Sequence, residues 1–275
     1  MEDFKCLIQG IDGAEGPCVT RDGRLFMVGP PAGRIIEVLP DGQARDLANT
    51  GGIPAGLQID RNNDLWLADM KLGIFRIGMD GTIYPEVTTF ENAPIRGCND
   101  CYFDSLGNLY FSAPAGSSGD NPVGEVYCRL TDGTVHRLDD GYAFSNGLVV
   151  TADDKTLIVA ETFTKRLYAY DIIEPGHVGN KRLWGTLPGE RYGGPDGMDF
   201  DAEGRLLAAH FGSGAVEVFN ADGTHARSIA MPREQVTNVH FLGPDSTIIV
   251  VTEMSSGGLW QHEYGTRGQL QYGLA

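Results

Sequence analysis

Basic side chains are scarce in this sequence, which has 21 lysine and arginine residues against 37 aspartate and glutamate residues and a formal net charge of −16. Because a phosphate backbone or an anionic lipid surface needs a basic footprint, this balance argues against nucleic acid and membranes as partners. No run of 18 or more apolar residues occurs, so no transmembrane helix is expected. The N-terminus, MEDFKCLIQGIDG, lacks the basic and apolar regions of a signal peptide, and a cytoplasmic location is therefore expected.

Cysteine is also sparse, and the pattern of the five cysteines excludes the usual thiol sites. An odd number in 275 residues does not form the disulfide framework of a small secreted domain, so we expect reduced thiols. Cys98 and Cys101 form a C-x-x-C pair in GCNDC, but no second pair of cysteines or histidines completes a four-ligand zinc site. A thioredoxin-like site is disfavoured because CNDCYFD continues as an aromatic strand rather than a helix. The residues between the two cysteines, Asn99 and Asp100, are better candidates for chemistry.

Amphipathic helices are missing as well, and a repeat of short β-rich segments takes their place. Hydrophobic residues make up 41% of the chain, which is enough for a full globular core. Six segments each combine a polar turn with a short apolar run, and a period of 40 to 50 residues is typical of propellers and arrays. The first apolar residues after the turns are Leu25, Leu65, Leu109, Leu157, Leu206 and Ile248, with spacings of 40, 44, 48, 49 and 42 residues.

Each repeat reads as two hairpins, and four of the second hairpins turn on an Asp-Gly pair. Four antiparallel strands repeated six times predict an all-β protein, a six-bladed β-propeller formed as one domain by residues 1–275. The sixth repeat is expected to end in a hairpin over residues 258–270. The N-terminal segment DFKCLIQG is predicted to close the ring as the outer strand of the sixth blade.

Side chains with oxygen atoms recur at a fixed distance before these markers. The first strand of every propeller blade lines the central channel, so these residues should point at one axis on one face. Five of the six positions that stand ten residues before the marker, or eleven in the fourth repeat, carry a carboxylate or an amide; the six are Glu15, Ala55, Asn99, Asn146, Asp196 and Asn238. Converging carboxylates and amides would repel one another without a cation between them. Oxygen ligands suit Ca²⁺, or Mg²⁺ or Mn²⁺, and the lack of soft ligands argues against a dedicated zinc site.

A second register, four residues after each marker, is predicted to return to the same face on the second strand. It consists of Gly29, Asp69, Ala113, Glu161, His210 and Thr252, and its titratable members are candidates for a supporting acid and base set. Within this register, Glu161 is a candidate for substrate binding and His210 for catalysis. The loop GSSGDNPVG, residues 116–124, is expected to form a lid or a wall of the pocket.

Together these segments resemble the SMP-30, gluconolactonase and luciferin-regenerating-enzyme-like family of six-bladed propellers. The resemblance rests on EGP at 15–17, ND at 99–100, SNGL at 145–148, GPDGMDFDAEGRL at 194–206 and TNVHFLGPD at 237–245. It implies one divalent metal in the channel, calcium first and zinc, manganese or magnesium as alternatives. The implied ligands are Glu15, Asn99, Asn146 and Asp196, of which Asn99 can contact substrate instead.

The resemblance also implies an activity, because most family members are lactonases and related propellers hydrolyse organophosphates. The predicted function is metal-dependent hydrolysis of a lactone or related small-molecule ester, by a monomer or homodimer. Asp196 is the first candidate for the base and His210 the second. Arg96 is a candidate substrate-binding residue, although it stands one residue further from Asn99 than in sugar-lactonase members. The alternatives are a non-catalytic propeller that binds metal or a small ligand, and an organophosphate or aryl-ester hydrolase using the same site.

Overall fold

The computed structural model of the protein describes residues 3–95 and 97–275, and nearly all of their regular structure is β-strand. These residues form six sheets of four antiparallel strands, which confirms the predicted six-bladed β-propeller. The N-terminal strand and the strands of the first three blades, with a short ribbon between the second and the third, are β1 (Lys5–Ile8), β2 (Glu15–Val19), β3 (Leu25–Gly29), β4 (Arg34–Val38), β5 (Ala44–Asn49), β6 (Pro54–Ile59), β7 (Leu65–Asp69), β8 (Gly73–Ile77), β9 (Ile83–Val87), β10 (Thr89–Phe90), β11 (Ala93–Pro94), β12 (Cys101–Phe103), β13 (Leu109–Ala113), β14 (Gly124–Arg129) and β15 (Val135–Tyr142).

The second half of the chain continues the same arrangement. Its strands are β16 (Ser145–Val150), β17 (Thr156–Glu161), β18 (Arg166–Glu174), β19 (His177–Thr186), β20 (Gly194–Phe200), β21 (Leu206–Phe211), β22 (Ala215–Phe219), β23 (His225–Ala230), β24 (Val236–Phe241), β25 (Ile248–Glu253) and β26 (Gly258–Glu263). Three short 3₁₀ helices cover Pro30–Ala32, Thr162–Thr164 and Tyr272–Leu274. Within the described ranges, no helix has the length and apolar character needed to cross a membrane.

Strands pair in chain order within the first five blades, and the innermost strand of every blade lies at the channel. The inner strands β2, β6, β12, β16, β20 and β24 contact one another in a ring around the axis. Apolar side chains fill the spaces between neighbouring blades, as where the Trp66 and Phe103 rings meet edge to face with centroids 5.5 Å apart. All five cysteines are free, as expected from their number.

Four of the outer hairpins turn on Asp-Gly pairs, and a local hydrogen bond forms each of these turns, as the sequence predicts. In each, the aspartate carboxylate accepts a hydrogen bond from the backbone N–H two residues later, at 2.8 to 3.0 Å, which fixes the tight turn. The four aspartates are Asp41, Asp80, Asp132 and Asp222. The following glycine lies in the left-handed region in every case, with φ between 80° and 91°.

The N-terminal strand closes the ring, which confirms the prediction for DFKCLIQG. Strand β1 pairs antiparallel with β26, with Lys5 opposite Gln261 and Cys6 opposite Trp260. The sixth blade therefore takes its fourth strand from the start of the chain.

The predicted hairpin over residues 258–270 is wrong beyond Glu263, because β1 already occupies the edge of the sheet to which a further strand would pair. The chain instead crosses the end of the propeller where the inner hairpins turn. There Gly268 forms an isolated bridge with Asp201, and the Gln271 amide donates to both carboxylate oxygens of Asp199.

Deleting residues 1–10 should destabilise the propeller rather than trim it. The deletion removes the buried Ile8 side chain and leaves the outer edge of β26 unpaired, so the free energy of unfolding should fall by at least about 2 kcal/mol. Denaturant unfolding of the truncated and full chains measures the difference. Lys5→Ala, at an exposed position of the same strand, is the matched control and should change stability by less than about 0.5 kcal/mol. Equal stability of the truncated and full chains would contradict the role of β1.

Candidate functional site

A cavity of about 340 Å³ opens at the end of the channel where the inner strands begin. One residue from each of the six inner segments reaches it, namely Glu15, Ala55, Asn99, Asn146, Asp196 and Thr237. The structure thus brings together the four residues predicted as metal ligands. These four, Glu15, Asn99, Asn146 and Asp196, are called the floor of the cavity below.

Irregular strand pairing aims these side chains at the axis. In five blades the register between the first and second strands shifts at this point, for example between Glu15 and Cys18 and between Pro195 and Met198. Such bulges turn successive side chains and are common beside functional sites.

In the sixth blade the residue at the cavity is Thr237, whereas the fixed spacing points to Asn238. The interval to the marker there is eleven residues, as in the fourth blade. The amide of Asn238 lies below the floor instead, where its polar group lowers the pKa values of both Glu15 and Asp100 in opposition to burial.

Close packing of backbones supports the floor from below. In four blades a glycine follows the cavity residue, and neighbouring inner strands touch there. A Cβ atom on Gly147 would lie 2.1 Å from the carbonyl oxygen of Asp196, and one on Gly197 would lie 2.0 Å from Cγ of Asn238. Asp100 and Asn238 occupy the corresponding positions of the other two blades, and their side chains fill the centre.

The carboxylates of this region are buried close together, and their pKa values rise as a result. Burial, followed by the charge of Asp196, raises the pKa of Glu15 well above its usual value. Burial, followed by the charge of Asp100, raises the pKa of Asp196 in the same direction. Burial raises the pKa of Asp100 to about 7, against the hydrogen bond from the Cys101 N–H. No lysine or arginine among the described residues lines the cavity, so these negative charges lack a cationic partner there.

The orientation of Asn146 is fixed by a directed chain of hydrogen bonds. The carbonyl of Pro195 can only accept, so the Thr162 hydroxyl donates its single proton to it, at 2.8 Å. The lone pairs of that hydroxyl then accept from Nδ2 of Asn146 at 3.0 Å. Oδ1 of Asn146 is left buried and without a hydrogen-bond partner. Because the Thr162 hydroxyl binds the Nδ2 side of the Asn146 amide, the Oδ1 atom of Asn146 points away from that hydroxyl and stays available as an acceptor.

These observations are the features expected of a site for a hard cation. A buried acceptor oxygen without a donor and two crowded carboxylates would both be stabilised by positive charge. Across residues 3–95 and 97–275, no three histidine, cysteine, aspartate or glutamate side chains are grouped to hold a metal. The floor has only two carboxylates and relies on amide oxygens, a donor set that suits calcium better than zinc.

The remaining candidates lie outside the cavity or outside the described residues. Glu161 accepts hydrogen bonds from the Ala143 N–H, at 2.8 Å, and from the Thr164 hydroxyl. It therefore connects the segments that contain these two residues. His210 is buried and pairs through Nδ1 with Glu217 at 2.9 Å. Neither side chain lines the cavity. Arg96 lies outside the described residues.

The second register faces the cavity one residue later than the sequence spacing predicts. The residues that directly follow this register line the cavity in four blades, and are Pro30, Met70, Thr162 and Phe211. In the sixth blade the residue two positions after the register, Met254, lines it. A shift of one residue reverses the face of a strand, which explains why Asp69, Glu161 and His210 point elsewhere. Choosing the register by its apolar members would have found this set.

The aromatic residues Phe144, Phe163 and Tyr192 were missed by sequence reasoning, because they come from loops and not from the repeat. They line one side of the cavity and are called the aromatic wall below. The loop 116–124 does not line the cavity, but the Ser117 hydroxyl accepts a hydrogen bond from the Phe144 N–H at 3.1 Å. This loop therefore acts on the pocket by holding Phe144.

The fold and the cavity define a class: six-bladed propellers with a cavity at one end of the central channel whose floor carries oxygen-bearing side chains. Within that class the chain belongs to the SMP-30/gluconolactonase/LRE-like family, whose profile it matches over residues 13–255. This confirms the resemblance found in the sequence.

Two relatives and one solved structure illustrate the family relationship. The chain is 39% identical over 298 residues to diisopropyl-fluorophosphatase of Loligo vulgaris, covering 98% of this chain and 94% of that protein. It is 33% identical over 250 residues to a pentonolactonase of Haloferax volcanii, covering 89% and 82%. The crystal structure of regucalcin, a calcium-binding protein of Agrobacterium tumefaciens, superposes with a TM-score of 0.82 at 20% identity, covering 98% of this chain and 95% of that one. This last likeness concerns the fold alone.

Substituting Gly147 by alanine should disrupt the packing below the floor. The new methyl group would overlap the backbone of the next blade, so the free energy of unfolding should fall by about 3 kcal/mol. Gly119→Ala is the matched control, because a Cβ atom there meets nothing within 4 Å and it should change stability by less than about 1 kcal/mol. Denaturant titrations compare the two variants. A Gly147→Ala protein as stable as the Gly119→Ala protein would refute this account of the floor.

Proposed function

We propose that this protein is a metal-dependent hydrolase that opens lactones, with the floor of the cavity as its catalytic centre. The observation that carries the proposal is the juxtaposition of two carboxylates, the half-buried Glu15 and the buried Asp196, with the unpartnered Oδ1 of Asn146 at the base of an open cavity. Family membership and the pentonolactonase relative support the lactone as the class of substrate.

One divalent metal, with calcium as the first choice, would be held by Glu15, Asn99, Asn146 and Asp196. When bound, it supplies positive charge that offsets the negative charge developing on the carbonyl oxygen of the ester. Because such a cation activates water less strongly than zinc does, a protein base is also required.

Asp196 is the residue proposed as that base. Its carboxylate takes a proton from water as the water oxygen attacks the carbonyl carbon, the ring C–O bond breaks, and the proton passes to the departing alkoxide. Asp196 lines the cavity, whereas the buried His210 pairs with Glu217 outside it, and this contrast favours Asp196 over His210. The remaining residues of the floor orient the ester beside this carboxylate.

A second candidate function is the hydrolysis of phosphotriesters on the same centre. It is favoured by the 39% identity to diisopropyl-fluorophosphatase over 98% of this chain. Both reactions attack an electrophilic centre that carries an oxygen able to accept negative charge, so the same floor serves either. Comparing diisopropyl fluorophosphate with simple lactones as substrates decides which is preferred.

Replacing Asp196 with asparagine should abolish turnover while sparing the fold. The amide keeps the shape and an oxygen but cannot accept a proton, so kcat should fall roughly a thousandfold. Hydrolysis of a small lactone panel is followed by pH-stat titration, with circular dichroism to verify folding. Asp222→Asn, in a surface hairpin turn, is the control and should retain full activity. Activity retained by Asp196→Asn would remove this residue from the mechanism.

Metal dependence is tested separately by calorimetry, which does not depend on turnover. The wild-type protein should bind one Ca²⁺ ion, EDTA should remove both the ion and the activity, and Asn146→Ala should lose binding. Thr162→Val should weaken binding about tenfold, because the threonine hydroxyl that orients the asparagine amide is lost. Thr162→Ser keeps this hydroxyl and should bind as the wild type does. Unchanged affinity in Asn146→Ala would refute the proposed ligand set.

A further inference from the structure

The walls of the cavity differ in chemistry from its floor. Above Glu15 and Asp196 the cavity is lined by the aromatic wall and by Pro30, Met70, Phe211 and Met254. The Phe144 and Phe163 rings meet at 60° with centroids 5.3 Å apart, and Phe163 and Tyr192 lie 6.5 Å apart. A continuous apolar surface therefore stands beside the reacting centre.

The aromatic wall is a built feature of the structure and not a chance cluster at the surface. Phe144 has φ of 73°, a left-handed conformation that is uncommon for an aromatic residue. Hydrogen bonds on both sides hold it there, because its N–H donates to Ser117 Oγ at 3.1 Å and its carbonyl accepts from the Thr162 N–H at 3.0 Å. Such strain persists where the surrounding structure enforces it, and it clusters at ligand sites.

Two rings of the wall remain partly in water. Phe163 is 37% exposed and Tyr192 is 74% exposed. Both line the cavity, so an apolar group bound there would remove ring surface from water.

The two threonine hydroxyl groups that line the cavity are already used within the protein. Thr162 Oγ1 donates to the Pro195 carbonyl and accepts from the Asn146 amide. Thr237 Oγ1 lies 2.8 Å from the Ala14 carbonyl and 2.9 Å from Thr252 Oγ1. A polyhydroxylated substrate would therefore lose its water partners on entry and find few replacements among the described side chains. No lysine or arginine among the described residues lines the cavity to pair with an anionic substrate.

We infer that the aromatic wall selects uncharged lactones or esters bearing an alkyl or aryl substituent, in preference to polyhydroxylated sugar lactones. This inference rests on the proposed function and specifies its substrate class. The substituent would lie against Phe144, Phe163 and Tyr192 while the carbonyl group faces the floor.

Three lactones with the same six-membered ring test the inference. They are δ-valerolactone, which has no substituent, δ-decalactone, which has a pentyl chain, and glucono-δ-lactone, which has hydroxyl groups. We expect kcat/KM to be at least about tenfold higher for δ-decalactone than for δ-valerolactone, and lowest for glucono-δ-lactone. A higher kcat/KM for glucono-δ-lactone than for δ-decalactone would overturn the inference and leave the proposed function intact. If the metal-loaded protein opens none of the three, the proposed function is wrong, and the inference fails with it.

Substitutions in the aromatic wall test whether its residues determine the substrate selectivity. Phe163→Ser should lower the ratio of kcat/KM for δ-decalactone to that for δ-valerolactone by about tenfold, whereas Phe163→Leu should largely preserve it. Tyr192→Ser, at a more exposed position, provides a second test if Phe163→Ser does not fold. Tyr84→Ser is the matched control, because this 40% exposed aromatic residue does not line the cavity. A ratio unchanged in the folded wall variants would show that the wall does not select the substrate.

Discussion

The close approach of the inner strands around the channel axis is the constraint on which the rest of this structure depends. At Gly147 and Gly197 the backbone of the next blade leaves no room for a side chain, so the layer below the cavity is mostly main chain. Only Asp100 and Asn238 place side chains in that layer, from the third and the sixth blade, which face each other across the ring. The residues above them are held at the axis by rigid strands rather than by flexible loops, which favours a fixed arrangement of charged groups.

The close approach of the inner strands also determines the electrostatics of the site. Burial raises the pKa values of Glu15 and Asp196, and repulsion adds to this, from Asp196 on Glu15 and from Asp100 on Asp196. A bound cation would relieve this unfavourable situation. The apolar walls strengthen the effect, because apolar surroundings screen charges less than solvent does. A polar floor and an apolar wall are therefore complementary: the floor provides the charge interactions, and the wall keeps them strong and determines which substituents enter.

The fold could be predicted because it depends on local chemistry, such as turn residues. Contacts between segments that are distant in the sequence could not be predicted in this way. Asp-Gly pairs fix their turns within four residues, so hairpins such as the one at Asp132 could be predicted from spacing alone. The floor could be predicted because one repeat position supplies all four of its residues. The prediction for the second strand was wrong by one residue in four blades, because small irregularities in strand pairing decide on which face of the sheet a side chain lies. Phe144 could not have been found in this way, because its position depends on Ser117 and Thr162, which lie in other segments of the chain.

The opposite end of the channel constrains how the cavity can be reached. There the C-terminal segment crosses the propeller, and the buried Gln271 side chain donates to Asp199 at 2.9 and 3.0 Å from within the channel. Tyr272 extends this closure by packing on Phe103, with ring centroids 5.1 Å apart, and beneath the Arg61 guanidinium. Because the C-terminal segment covers this end among the described residues, we expect substrate and water to reach the floor from the face that carries the aromatic wall, and product to leave by the same route. The exposed rings of Phe163 and Tyr192 would then lie beside that route.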